Sequence, residues 1–334
     1  MFRGSKPLQF IVIWDVKFSD MNSQKVVSLG GGHGLAATLT AMRAITSRIT
    51  AVVTVADNGG SSGRLRNDFG SLPPGDLRMA LGALCSDDEW GRGWAEVMQY
   101  RFTGESELNG HALGNLLLMA LWEMDADAVR GIRQVGNLLR IIGEVLPMSL
   151  DPLDIEGTFN TAYGRKIVRG QVQVATTKGR IEALRLIPEN PRVTPQVLEA
   201  LKVADWITVG PGSWFSSVMP HLLLPELAKA LVTSPARRIM VLNLPEPESA
   251  DEFAGSSPAN HLEFILQHTP LLRIDYAIVD PTAIETNSRL KEMVEGLGGE
   301  LVVAPLSQSP GSYHHDVKKL RAVFAHIMER TLLR

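Results

Sequence analysis

The chain has 334 residues, 45% hydrophobic and 21% charged, with a formal net charge of −3. That balance is ordinary for a soluble globular protein with a substantial core, and it leaves no global basic field to draw the chain to nucleic acid. Cys85 is the only cysteine, which excludes an intramolecular disulfide and suits a reducing cytoplasm.

In chain order, residues 8–14 (LQFIVIW) come first. The run is apolar but too short to span a membrane, no small-residue cleavage pattern follows it, and Asp15, Lys17 and Asp20 interrupt it. Two readings stand for residues 1–20: a non-essential extension from a start codon placed too early, or an added edge strand in which Ile11 and Ile13 alternate with other residues. The domain division is an extension over 1–24, non-native or disordered, and one Rossmann-like domain over 25–334. From Lys25 onward, strand-like runs occupy 26–29, 49–55, 206–209, 239–243, 276–279 and 301–304. Each is short, β-branched or apolar, and bounded by Gly, Pro, Asp or Asn, as in strands buried on both faces. Helical patterns occupy 35–45, 77–84, 113–124, 126–142, 225–231, 258–267, 288–296 and 317–331. Strands separated by helices predict an α/β fold, a Rossmann-like doubly wound and mainly parallel sheet. Residues 166–187 break the alternation: polar and apolar residues alternate about a Thr-Lys-Gly turn, which predicts an inserted antiparallel hairpin serving as a lid or an edge extension.

Three glycine-rich turns carry the chemistry. Gly30, Gly31, Gly32 and Gly34 follow the first strand and open a helix, and Gly32 to Ala37 matches G-x-G-x-x-A around His33. Glycines let backbone approach phosphate oxygens and a helix start offers free N–H groups, although a tight turn with no ligand would read the same way. Asp57 ends the second strand, 23 residues after Gly34, where a dinucleotide fold takes ribose hydroxyls, so an NAD-dependent oxidoreductase is one reading. Asn58, Gly59, Gly60 and Ser61 then begin a second donor-rich loop, followed by Arg64 and Arg66. Two such loops favour a larger phosphorylated, nucleotide-like ligand, and a guanidinium fork matches its oxyanions. Pro73-Pro74-Gly75-Asp76 predicts a rigid turn with Asp76 as an N-cap, and Arg78 either reaches the anion or pairs with Asp76.

His111 and Asn115 lie four apart at another helix start, placed to read a base or sugar; a capping or core histidine is the alternative, and no second ligand at metal spacing stands beside it. Gly210, Pro211, Gly212 and Ser213 repeat the strand–glycine–helix pattern as a third oxyanion loop, with Asn243 ending the next strand toward the same crevice. At Tyr313-His314-His315-Asp316 we read Asp316 as a helix cap in preference to a metal site. Neither a nucleophile elbow nor a P-loop occurs, which removes support from serine hydrolase and P-loop NTPase readings.

Taken together, GGGHGL, VADNGGSSGRLR, PPGDLR, GHALGNLLL and GPGSWFSSVMPHLLLPEL resemble the YvcK-type gluconeogenesis factors of the YvcK/CofD-like superfamily, from Lys25 to about Leu231 and more loosely beyond. The resemblance implies a Rossmann-like fold and binding of UDP-sugars, notably UDP-N-acetylglucosamine, by a regulator needed for cell shape and wall synthesis during gluconeogenic growth. The CofD branch instead transfers 2-phospho-L-lactate to a deazaflavin with Mg²⁺, and only under that alternative is a metal expected. Three departures stand out: His33 replaces a usual threonine, Asn58 replaces a usual second aspartate, and LPEPESADEF after Asn243 replaces a segment usually resembling QPGET. On this reading the diphosphate lies against Gly31, Gly32, Gly34, Gly212 and Ser213. Arg64 and Arg78 supply charge, Asp57 and Asn58 face sugar or ribose, and His111 and Asn115 line the remaining groove. The expected partner is a nucleotide sugar. A homo-oligomer and a regulatory protein partner are left open; nucleic acid and membrane insertion are not expected.

Overall fold

The computed structural model describes residues 21–245, 257–284 and 289–332. The readings of residues 1–20 and of the segment from 246 to 253 lie outside the described residues. Residues 21–24, expected to belong to the extension, are packed onto the body. Met21 is buried, and the Thr46 hydroxyl donates to the carbonyl oxygens of Asn22 and Gln24.

The strands are β1 (Val26–Gly30), β2 (Ile49–Val53), β3 (Glu144–Pro147), β4 (Asp154–Thr161), β5 (Gly164–Arg169), β6 (Arg180–Ile187), β7 (Trp206–Val209), β8 (Arg237–Val241), β9 (Tyr276–Val279) and β10 (Glu300–Val303). Seven of them form one sheet in the order β10-β9-β8-β7-β1-β2-β3, every neighbour parallel. The strands β1, β7 and β9 are buried throughout, which is why they read as unbroken apolar runs. From β1 the chain winds outward to β2 and β3, then returns to β7 on the other side and winds away to β10. Right-handed crossovers in opposite directions put their helices on opposite faces, and the reversal leaves a crevice beyond the carboxyl ends of β1 and β7.

The remaining three strands form an antiparallel sheet, β5-β4-β6. The inserted hairpin is β4 and β5, turning between Thr161 and Gly164. The Thr-Lys-Gly segment instead leads from a short helix, Gln171–Thr176, into β6, which pairs on the far side of β4. The alternation seen in 166–187 therefore belongs to two strands that share a middle partner and do not pair with each other. An ion pair fastens this insert to the body, Asp154 binding Arg66 at 2.6 Å; Asp154 also binds Arg169 within the insert at 2.6 Å, and Asp151 grips Arg192 across the two segments that lead into and out of it.

No sequence pattern marks β3. Its four residues follow the helix Ala128–Leu139 after Arg140 and Gly143 turn the chain at positive φ, and among the described residues its only sheet partner is β2. A strand of this length ending in proline is legible only once its neighbour is known.

Candidate functional site

A cleft of about 810 Å³ opens at the crevice between β1 and β7. Its floor is the turn after β1, where Gly31 precedes the helix Gly32–Met42 with no side-chain cap. The first N–H groups of that helix have no partner within it and carry the positive end of its dipole. The turn after β7 closes on the first. A Cβ on Gly34 would overlap the Pro211 carbonyl oxygen and stand 2.5 Å from its carbon and 2.9 Å from Gly212 Cα, so only glycine lets the two backbones meet.

Asn243 holds the second turn in place. Its carboxamide accepts from Gly212 N–H at 3.0 Å and donates to Gly212 O at 3.0 Å. Ser213 caps the turn that follows, accepting from Ser216 N–H at 3.2 Å, so its hydroxyl is engaged in local structure as well as lining the cleft. Beside Gly31 stands Asp76, within the first turn of the helix Pro74–Leu84, whose N-cap is Pro73. Its carboxyl is raised to about 7, first by burial and then by the nearby Asp57 carboxylate, with the Gly32 N–H pulling the other way. Asp57 itself is raised by burial, against hydrogen bonds from Gly59 N–H and Ser62.

The second loop lies one layer behind. Asn58 faces the inserted sheet: its Oδ1 accepts from Val172 N–H at 3.2 Å and its Nδ2 donates to Gln173 Oε1 at 3.2 Å. Gly59 borders Asp57 and Val172, and Gly60 is exposed. Ser61, Arg78, His111 and Asn115 are brought together as one buried network. Arg78 Nε donates to Asn115 Oδ1 at 2.9 Å, and Asn115 Nδ2 donates to Ser61 Oγ at 2.9 Å. Ser61 Oγ shares a 3.0 Å hydrogen bond with His111 Nδ1. Burial, then Arg64, holds the His111 imidazole below its usual pKa. The network meets the cleft at Gln99, which accepts from Arg78 and lines the wall. Arg64 points elsewhere: it donates to the carbonyl oxygens of Asn109 at 2.7 Å and Glu107 at 3.5 Å. Gly210 sits beneath the third turn against the Val241 carbonyl, not on the cleft surface.

The family model described as 2-phospho-L-lactate transferase CofD matches residues 26–333. A putative gluconeogenesis factor of Mycobacterium tuberculosis is 44% identical, over 91% of this chain and 90% of its own length. The chain belongs to the YvcK/CofD-like family. A gluconeogenesis factor of Listeria innocua is 35% identical, over 81% of this chain and 80% of its own length. The crystal structure of a UPF0052 family member from Bacillus halodurans superposes with a TM-score of 0.79 at 31% identity, covering 90% of this chain and 98% of that one. These comparisons establish the α/β fold and the kinship.

Within that family frame, Gly31, Gly32, His33, Gly34, Gly212, Ser213 and Asn243 line the cleft. Asp57, Asn58, Gly59, Gly60, Ser61, Arg64, Arg78, His111, Asn115 and Gly210 do not, and no arginine or lysine is among the lining residues described. An anion there would meet backbone N–H groups and imidazoles in place of guanidinium forks. Several lining residues escaped the sequence reading: Asp76, taken as a cap, and Gln99, Gln171, Ser216 and Ser217. Asp76 was findable, because proline favours the first helical position and so puts the helix start at Pro74, two residues too early for Asp76 to be its cap. His314 and Tyr313 stand exposed at the rim, with His33 and His314 ring centroids 6.4 Å apart. His315 beneath them is drawn down to about 4 by burial and donates to Leu242 O at 3.3 Å. Asp316 caps the last helix, accepting from Lys318 and Lys319 N–H groups at 2.8 and 3.0 Å.

Proposed function

We propose that the protein binds a UDP-sugar, UDP-N-acetylglucosamine, as a cytoplasmic regulator that cell shape and wall synthesis require during gluconeogenic growth. The interlocked glycine turns carry this reading. Two backbone turns and a helix start converge on a cleft whose volume, about 810 Å³, suits a ligand the size of a nucleotide sugar. Kinship with proteins named gluconeogenesis factors supports the physiological half. Among the described residues no helix is long and apolar enough to cross a membrane. A regulator of this kind acts through a protein partner that responds to the liganded state.

The experiment is titration calorimetry of the full chain with UDP-N-acetylglucosamine, UDP and NAD⁺. Saturable binding of the first two and none of NAD⁺ supports the reading. An Asn243→Ala variant, which frees the Gly212 turn from two hydrogen bonds, weakens binding about tenfold. Absence of UDP-N-acetylglucosamine binding overturns it.

The CofD description favours a second reading, transfer of 2-phospho-L-lactate to a deazaflavin acceptor. Asp57 and Asp76, neighbouring acids at the turns, would hold its Mg²⁺ together with phosphate oxygens and waters. Asn58, where the family's usual residue is an aspartate, is engaged by the inserted sheet. Formation of a phosphodiester on a deazaflavin in the presence of Mg²⁺ would establish this second reading in place of the first.

A further inference from the structure

The inserted sheet contributes one residue to the cleft, and that residue has an unused hydrogen-bonding atom. Gln171 opens the short helix Gln171–Thr176 and forms part of the cleft wall. Its Oε1 is closed off from solvent and has no hydrogen-bond partner. A buried acceptor left unpaired is unfavourable, and a turn of the side chain that presents it to a ligand donor in the cleft removes that penalty.

The placement of Gln171 is fixed from the body of the protein. Asn58, on the loop after β2, accepts from Val172 N–H at 3.2 Å and donates to Gln173 Oε1 at 3.2 Å, so its carboxamide binds the residues that follow Gln171. The fit is close. A Cβ on Gly170 would overlap both Asn58 Nδ2 and Gln173 Oε1, and Gly170 adopts φ 105°, where a side chain is strained. An aspartate at position 58 would keep the acceptor for Val172 and lose the donor to Gln173.

We propose that Gln171 is the specificity-determining residue of the cleft, accepting a hydrogen bond from a hydroxyl or amide N–H on the sugar half of a nucleoside diphosphate sugar, with Asn58 as its positioning residue. This rests on the nucleotide-sugar reading above. The chemistry of the lining separates the two halves of such a ligand. Exposed rings at His33, Tyr313 and His314 offer flat faces of the kind that stack on a base. The uncharged carboxamide of Gln171 offers what a polyhydroxylated ring needs.

The test compares UDP with UDP-N-acetylglucosamine by calorimetry on wild type, Gln171→Ala, Gln171→Met and Asn58→Asp. Gln171→Met keeps the length of the side chain, so a packing defect in the alanine variant cannot pass for a lost hydrogen bond. The expected result is about tenfold weaker UDP-N-acetylglucosamine binding in both Gln171 variants with UDP affinity unchanged, and a smaller loss in the same ligand for Asn58→Asp. Equal weakening of UDP and UDP-N-acetylglucosamine, or no change in either, overturns the assignment while leaving the nucleotide-sugar reading intact. Failure of wild type to bind either ligand overturns both.

Discussion

A methyl group at residue 34 should separate the two turns that make the cleft floor. In an ordinary helix, replacing glycine by alanine gains about 1 kcal/mol. At position 34 the new Cβ would overlap the Pro211 carbonyl oxygen and lie 2.5 Å from its carbon and 2.9 Å from Gly212 Cα. These atoms are backbone, so no side chain can rotate to make room. The Gly212 turn is also tied by both Asn243 hydrogen bonds, and the Gly210 carbonyl accepts from Thr38 Oγ1 at 3.1 Å. Overpacking costs about 1–3 kcal/mol, and each hydrogen bond stretched as the turn retreats costs about 1 kcal/mol more. Set against the helical gain, Gly34→Ala should lose about 3–5 kcal/mol and lower the melting temperature by about 5 °C. Gly93→Ala is the control: it lies in the helix Glu89–Gln99 with nothing within 4 Å of where a Cβ would sit, and should be neutral or stabilising. Thermal denaturation of the two variants, followed by UDP-N-acetylglucosamine titration, decides the matter. A Gly34→Ala protein as stable as wild type and with unchanged affinity would refute the view that close backbone approach builds the floor.

Further outcomes concern charge and the network behind the cleft. Asp76 has a folded-state pKa of about 7, above its unfolded value, so folding favours its protonated form. Its destabilising effect is absent below the unfolded pKa, grows as pH rises from about 4 to 7, and is complete above that window. Asp76→Asn should therefore be more stable than wild type at pH 8 and close to it at pH 4, as read by denaturant unfolding; a constant difference across that range would contradict the assignment. The same ionisation places a negative charge beside the first turn, so UDP affinity should fall between pH 6 and 8 in wild type more than in Asp76→Asn. Arg78→Met leaves Asn115 Oδ1 and Gln99 Oε1 without their donor and should cost about 2–4 kcal/mol in thermal or chemical unfolding. Arg64→Ala, whose guanidinium serves the carbonyl oxygens of residues 107 and 109, should leave UDP-N-acetylglucosamine affinity unchanged in calorimetry.

Much of the fold was legible because buried parallel strands are short, apolar and punctuated. The runs at 26–29, 206–209 and 276–279 are the cores of β1, β7 and β9. β3 was not, since Glu144 and Pro147 give it neither alternation nor an apolar run, and β2 alone recruits it. The glycine turns after β1 and β7 were legible as tight turns because the constraint they answer, close backbone approach, is local in sequence. Their direct contact was not, since it joins Gly34 to Pro211 across the sheet. Asn58 and Arg64 were assigned to the ligand on the strength of their loop, yet the loop packs them against the insert and the 107–109 segment. Gln171 and Gln99 reach the cleft from elements whose own patterns say nothing of it. Tertiary placement decides such residues, and local chemistry does not encode it.

The most direct measurement is a crystal structure of the full chain with UDP-N-acetylglucosamine. The account predicts diphosphate oxygens within hydrogen-bond distance of backbone N–H groups at Gly32–Gly34 and at Gly212–Ser213. A ligand bound elsewhere, or a diphosphate held away from both turns, would contradict it.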